Sequence, residues 1–264
     1  MNFGLIIVGD EILSGKRTDK HLPKVIDLLA ARGLGLSWAR YVGDEPQRIT
    51  QDLRHAFTCG DVVFTCGGIG ATPDDHTRQC AAQALGLPLV LHPQARDLIL
   101  VRMLELAKEQ GQACEPERSD NVHRLNMGMF PQGAQIIPNP YNKIAGFSFD
   151  SVYFVPGFPV MAWPMIEWVL DGHLAHLHRP VAVREKSVIV FRGLEAALTP
   201  LMLSIETRFA GIKVFSLPSV DHPQWGRHIE IGVKGDPAGI DAAYAQLLQG
   251  LRETDVQLGP ELVR

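Results

Sequence analysis

The chain has no run of lysine or arginine. Its 25 basic residues are scattered among 29 acidic ones, for a formal net charge of −4, so a nucleic-acid partner gripped by charge is not expected. Cysteine is scarce. The four present (Cys59, Cys66, Cys80, Cys114) make no C-x-x-C pair and no disulfide-framework spacing, and are read as reduced and mostly buried. The apolar opening, Phe3 to Val8, lacks a basic start and meets Gly9-Asp10-Glu11 at once. It is too short for a signal peptide or a membrane span, so the default expectation is a cytoplasmic protein with no membrane partner. Low-complexity tracts and short repeats are also missing. What remains is 264 residues, 46% of them hydrophobic, ample for one large core or for two domains.

The most informative stretch runs from Asp61 to Thr77. An apolar run at Val62 to Phe64 reads as a buried strand, a glycine turn follows (Gly67, Gly68, Gly70), then two adjacent carboxylates (Asp74, Asp75). A helical pattern comes next, with Cys80, Ala81, Ala84 and Leu85 on one face and Gly86 as the stop. Glycines permit positive φ and let a ligand approach bare N–H groups. A helix N-terminus suits an anion. Carboxylates beside a phosphate imply a hard cation between them, such as Mg²⁺. The same residues also suit a plain turn, with Asp74, Asp75 or Thr77 capping the helix.

Phe3 to Val8 reads as an inner parallel strand. The turn after it, Gly9 to Gly15, falls at the carboxyl edge of the sheet, where open α/β folds bind ligands. Asp10 and Glu11 then share a crevice with Asp74 and Asp75, or stay exposed, the latter suiting Glu11 better than Asp10. Thr18 or Asp19 caps a helix carrying Leu22, Val25, Ile26 and Leu29, and Leu34 to Val42 is a second strand. Asp44 either caps the next helix, which starts at Pro46 and presents Ile49, Leu53, Ala56 and Phe57, or adds a carboxylate to the crevice. The order β-α-β-α-β-α implies parallel strands with helices on both faces.

Further on, helices are expected over Gln94–Glu109 and Glu115–Asn126, and a strand over Gly133–Ile137. A second candidate loop, Pro138 to Gly146, holds Asn139, Asn142 and Lys143; the lysine either meets a phosphate or is solvated. A strand at Val152–Val155 leads into the stiff turn Pro156-Gly157-Phe158-Pro159 and a helix to Leu170. Asp171 to Pro180 reads as a linker whose three histidines (His173, His176, His178) raise the question of zinc without supplying cysteine ligands. From residue 181 the pattern becomes β-α-β-β-α: strands at Ala182–Phe191, Ile212–Leu217 and His228–Lys234, helices at Leu194–Phe209 and Pro237–Arg252. The expected domains are therefore 1–172 and a small α+β domain over 181–264, without chemistry of its own.

Gly67-Gly68-Ile69-Gly70-Ala71-Thr72-Pro73-Asp74-Asp75-His76-Thr77 resembles the G-G-L-G-P-T-x-D-D-L-T signature of CinA-type competence/damage-inducible proteins, within the MoaB/Mog molybdopterin-binding superfamily. The likeness extends, in order and spacing, to Val8–Gly15, Val42–Pro46 and Val155–Pro159. It implies a three-layer α/β/α domain that binds a pterin phosphate or a nucleotide pyrophosphate. The phosphate binders would be Gly67, Gly68, Ile69, Gly70, Thr72, Asn142 and Gly157, the catalytic residues Asp75 and Asp44, and the ligands of a divalent cation (Mg, Mn or Co) Asp10, Asp74 and Asp75. The implied activities are metal-dependent hydrolysis of ADP-ribose or FAD, or molybdopterin binding with adenylyl transfer; a non-catalytic binding module is the third reading. Self-association as a dimer or trimer is implied too. The amidohydrolase domain of many members has no counterpart in these residues. Two departures touch the pocket: the family's G-x-A-P-G loop reads Asn142-Lys143-Ile144-Ala145-Gly146, and Met161 replaces the glutamate of P-G-V-P-x-E.

Overall fold

The computed structural model describes residues 2–263 apart from 112, 114, 116 and 180–183. Cys114 and the expected strand start at Ala182 fall outside them. The first element, β1 (Phe3–Val8), is buried at every position, as a continuous apolar run in an inner strand must be. Then come a single helical turn α1 (Asp10–Leu13), α2 (His21–Ala30), β2 (Leu36–Val42), α3 (Pro46–Thr58), β3 (Val62–Cys66) and α4 (Thr77–Leu85). Asp19 does the capping expected at α2, accepting from the amides of His21 and Leu22 at 2.8 and 3.0 Å.

The chain continues through β4 (Leu89–Leu91), α5 (Pro93–Glu109), α6 (Ser119–Leu125), β5 (Met129–Pro131), β6 (Gln135–Ile137), β7 (Gly146–Phe149), β8 (Val152–Val155) and α7 (Pro159–Trp168). The main sheet has the order β2-β1-β3-β8-β7-β6. β2, β1, β3 and β8 run parallel, whereas β7 is antiparallel to both its neighbours. Consecutive residues of β1 serve opposite faces. Leu5 and Ile7 pack with Val25 and Leu29 of α2 and Met165 of α7, while Ile6 and Val8 pack with Ile49 and Leu53 of α3 and Cys80 of α4. This is the three-layer α/β/α arrangement expected from the sequence.

β4, β5 and β7 were not legible. Three- or four-residue strands are too short for a period-2 pattern to stand out. Aromatic packing holds β5 and β7: Phe147 of β7 stacks on Phe154 at 4.2 Å and on Phe130 of β5 at 4.6 Å. The segment read as a linker also differs. Val169–His173 and Ala175–Leu177 are helical turns, and Leu170 and Leu174 are buried in the core. Its histidines do not converge: His173 lies against Trp168, His178 donates to the Leu170 carbonyl at 2.9 Å, and no metal-holding trio of His, Cys, Asp or Glu occurs among the described residues.

The chain divides into two compact units, Met1–His178 and Arg179–Arg264. The second contains β9 (Arg184–Phe191), α8 (Glu195–Arg208), β10 (Ile212–His222), β11 (Gly226–Gly235), α9 (Pro237–Arg252) and β12 (Gln257–Val263), in an antiparallel sheet of order β10-β11-β9-β12. β10 runs past the expected end at Leu217, because Pro218 sits on an edge strand, where a missing N–H is tolerated. β12 was unforeseen: Gly259 and Pro260 break its alternation, and its pairing shifts between Leu258 and Glu261. Among the described residues no helix is long and apolar enough to cross a membrane.

Candidate functional site

The carboxyl ends of β1, β2, β3 and β8 open on one side of the sheet. β1 connects through α2 to β2 on one flank and the chain returns through α3 to β3 on the other, so the crevice lies where the winding reverses. A cavity of about 710 Å³ occupies it, within the usual range for small-molecule sites. Its wall takes Gly9 after β1, Asp44 after β2, the Gly67–Asp75 loop after β3 and Pro156–Phe158 after β8.

The glycine loop is specified by close approach. Gly67 and Gly68 have φ of 107° and 68°, and a Cβ would lie 2.3 Å from the Val8 carbonyl oxygen or 2.1 Å from Thr77 Oγ1, respectively. Gly67 is not bare: its amide donates to the Val155 carbonyl at 3.0 Å. The amides of Gly68, Ile69, Gly70 and Ala71 have no partner among the described residues, so the donors turned free sit slightly later than the glycines suggest. Thr77 does not cap α4. It is the first helical residue, and its hydroxyl donates to the Gly67 carbonyl at 3.0 Å while its amide donates to Gly68 at 2.9 Å. Asp75 does not cap either; it folds the loop, accepting from the Thr72 amide at 2.8 Å and from the Thr72 hydroxyl. Beneath the loop lies Arg78, 4% exposed, with Nη1 donating to the Ile69 carbonyl at 2.8 Å. Burial pushes this guanidinium down to about 10, against the pull of Asp75, so it stays charged at neutral pH.

The carboxylates divide. Asp10, Glu11, Asp44 and Asp74, with Lys16, line a recess beside the main cavity. Asp44 and Asp74 face both spaces, and Asp75 faces the cavity alone. The cation set read from the sequence, Asp10, Asp74 and Asp75, is thus split, and Asp44 takes the place of Asp75 beside the other two. Asp44 does not cap α3: Glu45 precedes that helix without a side-chain bond. Burial pushes the Asp44 carboxyl above its ordinary value; the Asp10 amide pulls it back, and the charges of Asp10, Glu11 and Asp74 push it up again. The expected contrast between neighbours is reversed, since Asp10 is exposed and Glu11 is half-buried in the cavity wall. No three of these groups close on an ion by themselves. Mg²⁺, however, takes one or two carboxylates and completes its shell with water and ligand phosphates, and this donor set fits that use.

The second loop is braced internally. Asn139 Nδ2 donates to Asn142 Oδ1 and to the Ile144 carbonyl, and Asn142 Nδ2 donates to the Met161 sulfur at 3.3 Å. Asn142 lines the cavity, but its amide is largely engaged with its own loop. Lys143, a candidate phosphate ligand, has φ of 65° and pairs with Glu105, away from the cavity. Gly157 lines the wall, and the buried His21 donates from Nε2 to its carbonyl at 2.9 Å. Sequence reasoning passed over Lys16, Arg17, His21 and Arg78. The adjacent Lys16-Arg17 after the first edge loop was a visible signal; the burial of Arg78 and the reach of His21 to Gly157 had none.

Fold and site define a class: a three-layer α/β/α protein with a large cavity at the carboxyl edge of a parallel sheet, under a glycine loop and beside clustered carboxylates. Residues 4–176 match the family described as a probable molybdopterin binding domain, and the chain belongs to that family. A CinA-like protein of Geotalea uraniireducens is 28% identical over 221 residues, covering 81% of this chain and 50% of the relative. One from Mycobacterium marinum is 28% identical over 258 residues, 95% of this chain and 59% of the relative. The chain thus spans half to about three-fifths of the length of these relatives. The crystal structure of the CinA protein with unknown function from Thermoplasma acidophilum superposes with a TM-score of 0.54 at 26% identity, covering 64% of this chain and 96% of that one.

Proposed function

We propose that the cavity binds the phosphate end of a nucleotide and that the protein is a divalent-cation-dependent pyrophosphatase acting on a dinucleotide such as ADP-ribose or FAD. One observation carries this reading: the unpartnered loop amides and the carboxylates of Glu11, Asp44, Asp74 and Asp75 line one cavity of about 710 Å³. The free amides of Gly68 to Ala71 hold phosphate oxygens. Asp44 and Asp74, with Asp10, hold the cation, which when bound supplies Lewis-acid polarisation and an acidified water. Asp75, tied to Thr72, keeps the loop closed around the phosphate and offers its second oxygen to the reacting region. Lys16 and Arg17, which also line the cavity, offset part of its negative charge.

The family match favours a second reading, in which the same loop grips a pterin phosphate, with or without adenylyl transfer. Incubation with ADP-ribose, FAD and ATP in Mg²⁺, Mn²⁺ or Co²⁺ separates the two. AMP released from a dinucleotide supports the pyrophosphatase. Adenylation only when molybdopterin is present supports the second reading, and ligand binding without product in any mixture marks a non-catalytic module. Dimer or trimer formation, a further part of the proposal, is read by light scattering.

A further inference from the structure

Arg78 is an anomaly on its own terms. It is 4% exposed, charged, and makes one hydrogen bond, to a backbone carbonyl; its Nε is buried without a partner. No ion pair neutralises it among the described residues. Asp75, the charge that acts on it, spends an oxygen on Thr72. A buried charge without a counter-charge is costly, and such groups are normally paired. The carbonyl it holds belongs to Ile69, within the segment whose amides are free. We infer that Arg78 is the fixed counter-charge of a phosphoryl group seated on the Gly68–Ala71 amides, acting as a positioning residue through the Ile69 carbonyl.

This deepens the proposed function and rests on its claim that the cavity takes a phosphorylated ligand. It sets one buried positive charge beneath a loop that shares its cavity with Glu11, Asp44, Asp74 and Asp75. A phosphoryl group at the loop therefore has a positive charge beneath it that does not depend on a cation.

The test is titration of pyrophosphate and of AMP in the presence of EDTA, by calorimetry, with wild type, Arg78→Gln and Arg78→Lys, each with a thermal melt. Gln keeps a donor for the Ile69 carbonyl and removes the charge; Lys keeps the charge. The expected result is metal-free binding by wild type, a loss of roughly tenfold or more in the Gln variant at unchanged melting temperature, as for a lost charge-assisted contact, and recovery in the Lys variant. A Gln variant that binds as tightly as wild type overturns the inference while leaving the phosphate site intact. If the Gln variant does not fold, Arg78→Lys decides: retained affinity supports the counter-charge, and lost affinity in a folded Lys variant overturns it. Absence of binding by wild type with and without Mg²⁺ removes the phosphate reading itself. Binding that appears only when Mg²⁺ is added spares that reading and removes the role of Arg78.

Discussion

Asp10 and Asp44, which follow different strands, exchange backbone and side chain. The Asp10 amide donates to Asp44 Oδ2 at 3.0 Å, and the Asp44 amide donates to Asp10 Oδ1 at 3.2 Å. Gly43 permits the approach, since a Cβ there would stand 2.4 Å from Asp10 Oδ1. Two like charges are thus locked together in the recess beside the cavity, an arrangement that repels itself until a cation or a proton arrives.

That relationship has a pH signature. The folded-state value of Asp44 lies above its ordinary one, so the folded protein holds this proton more tightly than the unfolded chain. Its contribution to stability is fully present below the ordinary value and is lost as pH rises through the raised one. Asp44→Asn keeps an acceptor for the Asp10 amide and removes the charge. The expected outcome is a gain of below about 1 kcal/mol at pH 7, limited by solvent screening, which vanishes at pH 3. Thermal melts across pH check it, and Mg²⁺ should stabilise the variant less than wild type.

Gly68→Ala should weaken both fold and ligand binding. A left-handed backbone costs an L-residue about 1–2 kcal/mol, and the new methyl would also displace the Thr77 hydroxyl. Urea unfolding measures the first effect and pyrophosphate titration the second. Wild-type affinity in the variant would remove the loop from the binding site.

Asp75→Asn should abolish turnover of ADP-ribose or FAD and leave the fold intact, because the amide oxygen can still accept from the Thr72 N–H. Rates of AMP release and the circular dichroism spectrum report the two halves of this expectation. An active variant would take Asp75 out of the chemistry.

Lys143→Ala should change neither phosphate affinity nor turnover. Its ammonium is committed to Glu105 on α5, and an exposed pair of that kind contributes little. Parallel titrations of the variant and wild type test it, and a large loss of affinity would mean that the loop swings its lysine inward on binding.

Much of this was legible in the chain itself. Apolar runs at Phe3 to Val8 and Val62 to Phe64, separated by amphipathic helices, dictate buried parallel strands with helices on both faces. Glycines before paired aspartates mark the loop, because only a residue without Cβ enters those backbone angles. Local pattern carried this information, as strand and helix periods act over a few residues. Only the tertiary structure decided which carboxylates meet, that Asp44 joins Asp10 rather than capping α3, that Lys143 turns to Glu105, and that Arg78 is buried uncompensated beneath the loop. Those outcomes depend on residues up to 38 positions apart brought together by the fold. Burial and charge pairing are properties of that juxtaposition, and no window along the chain contains it.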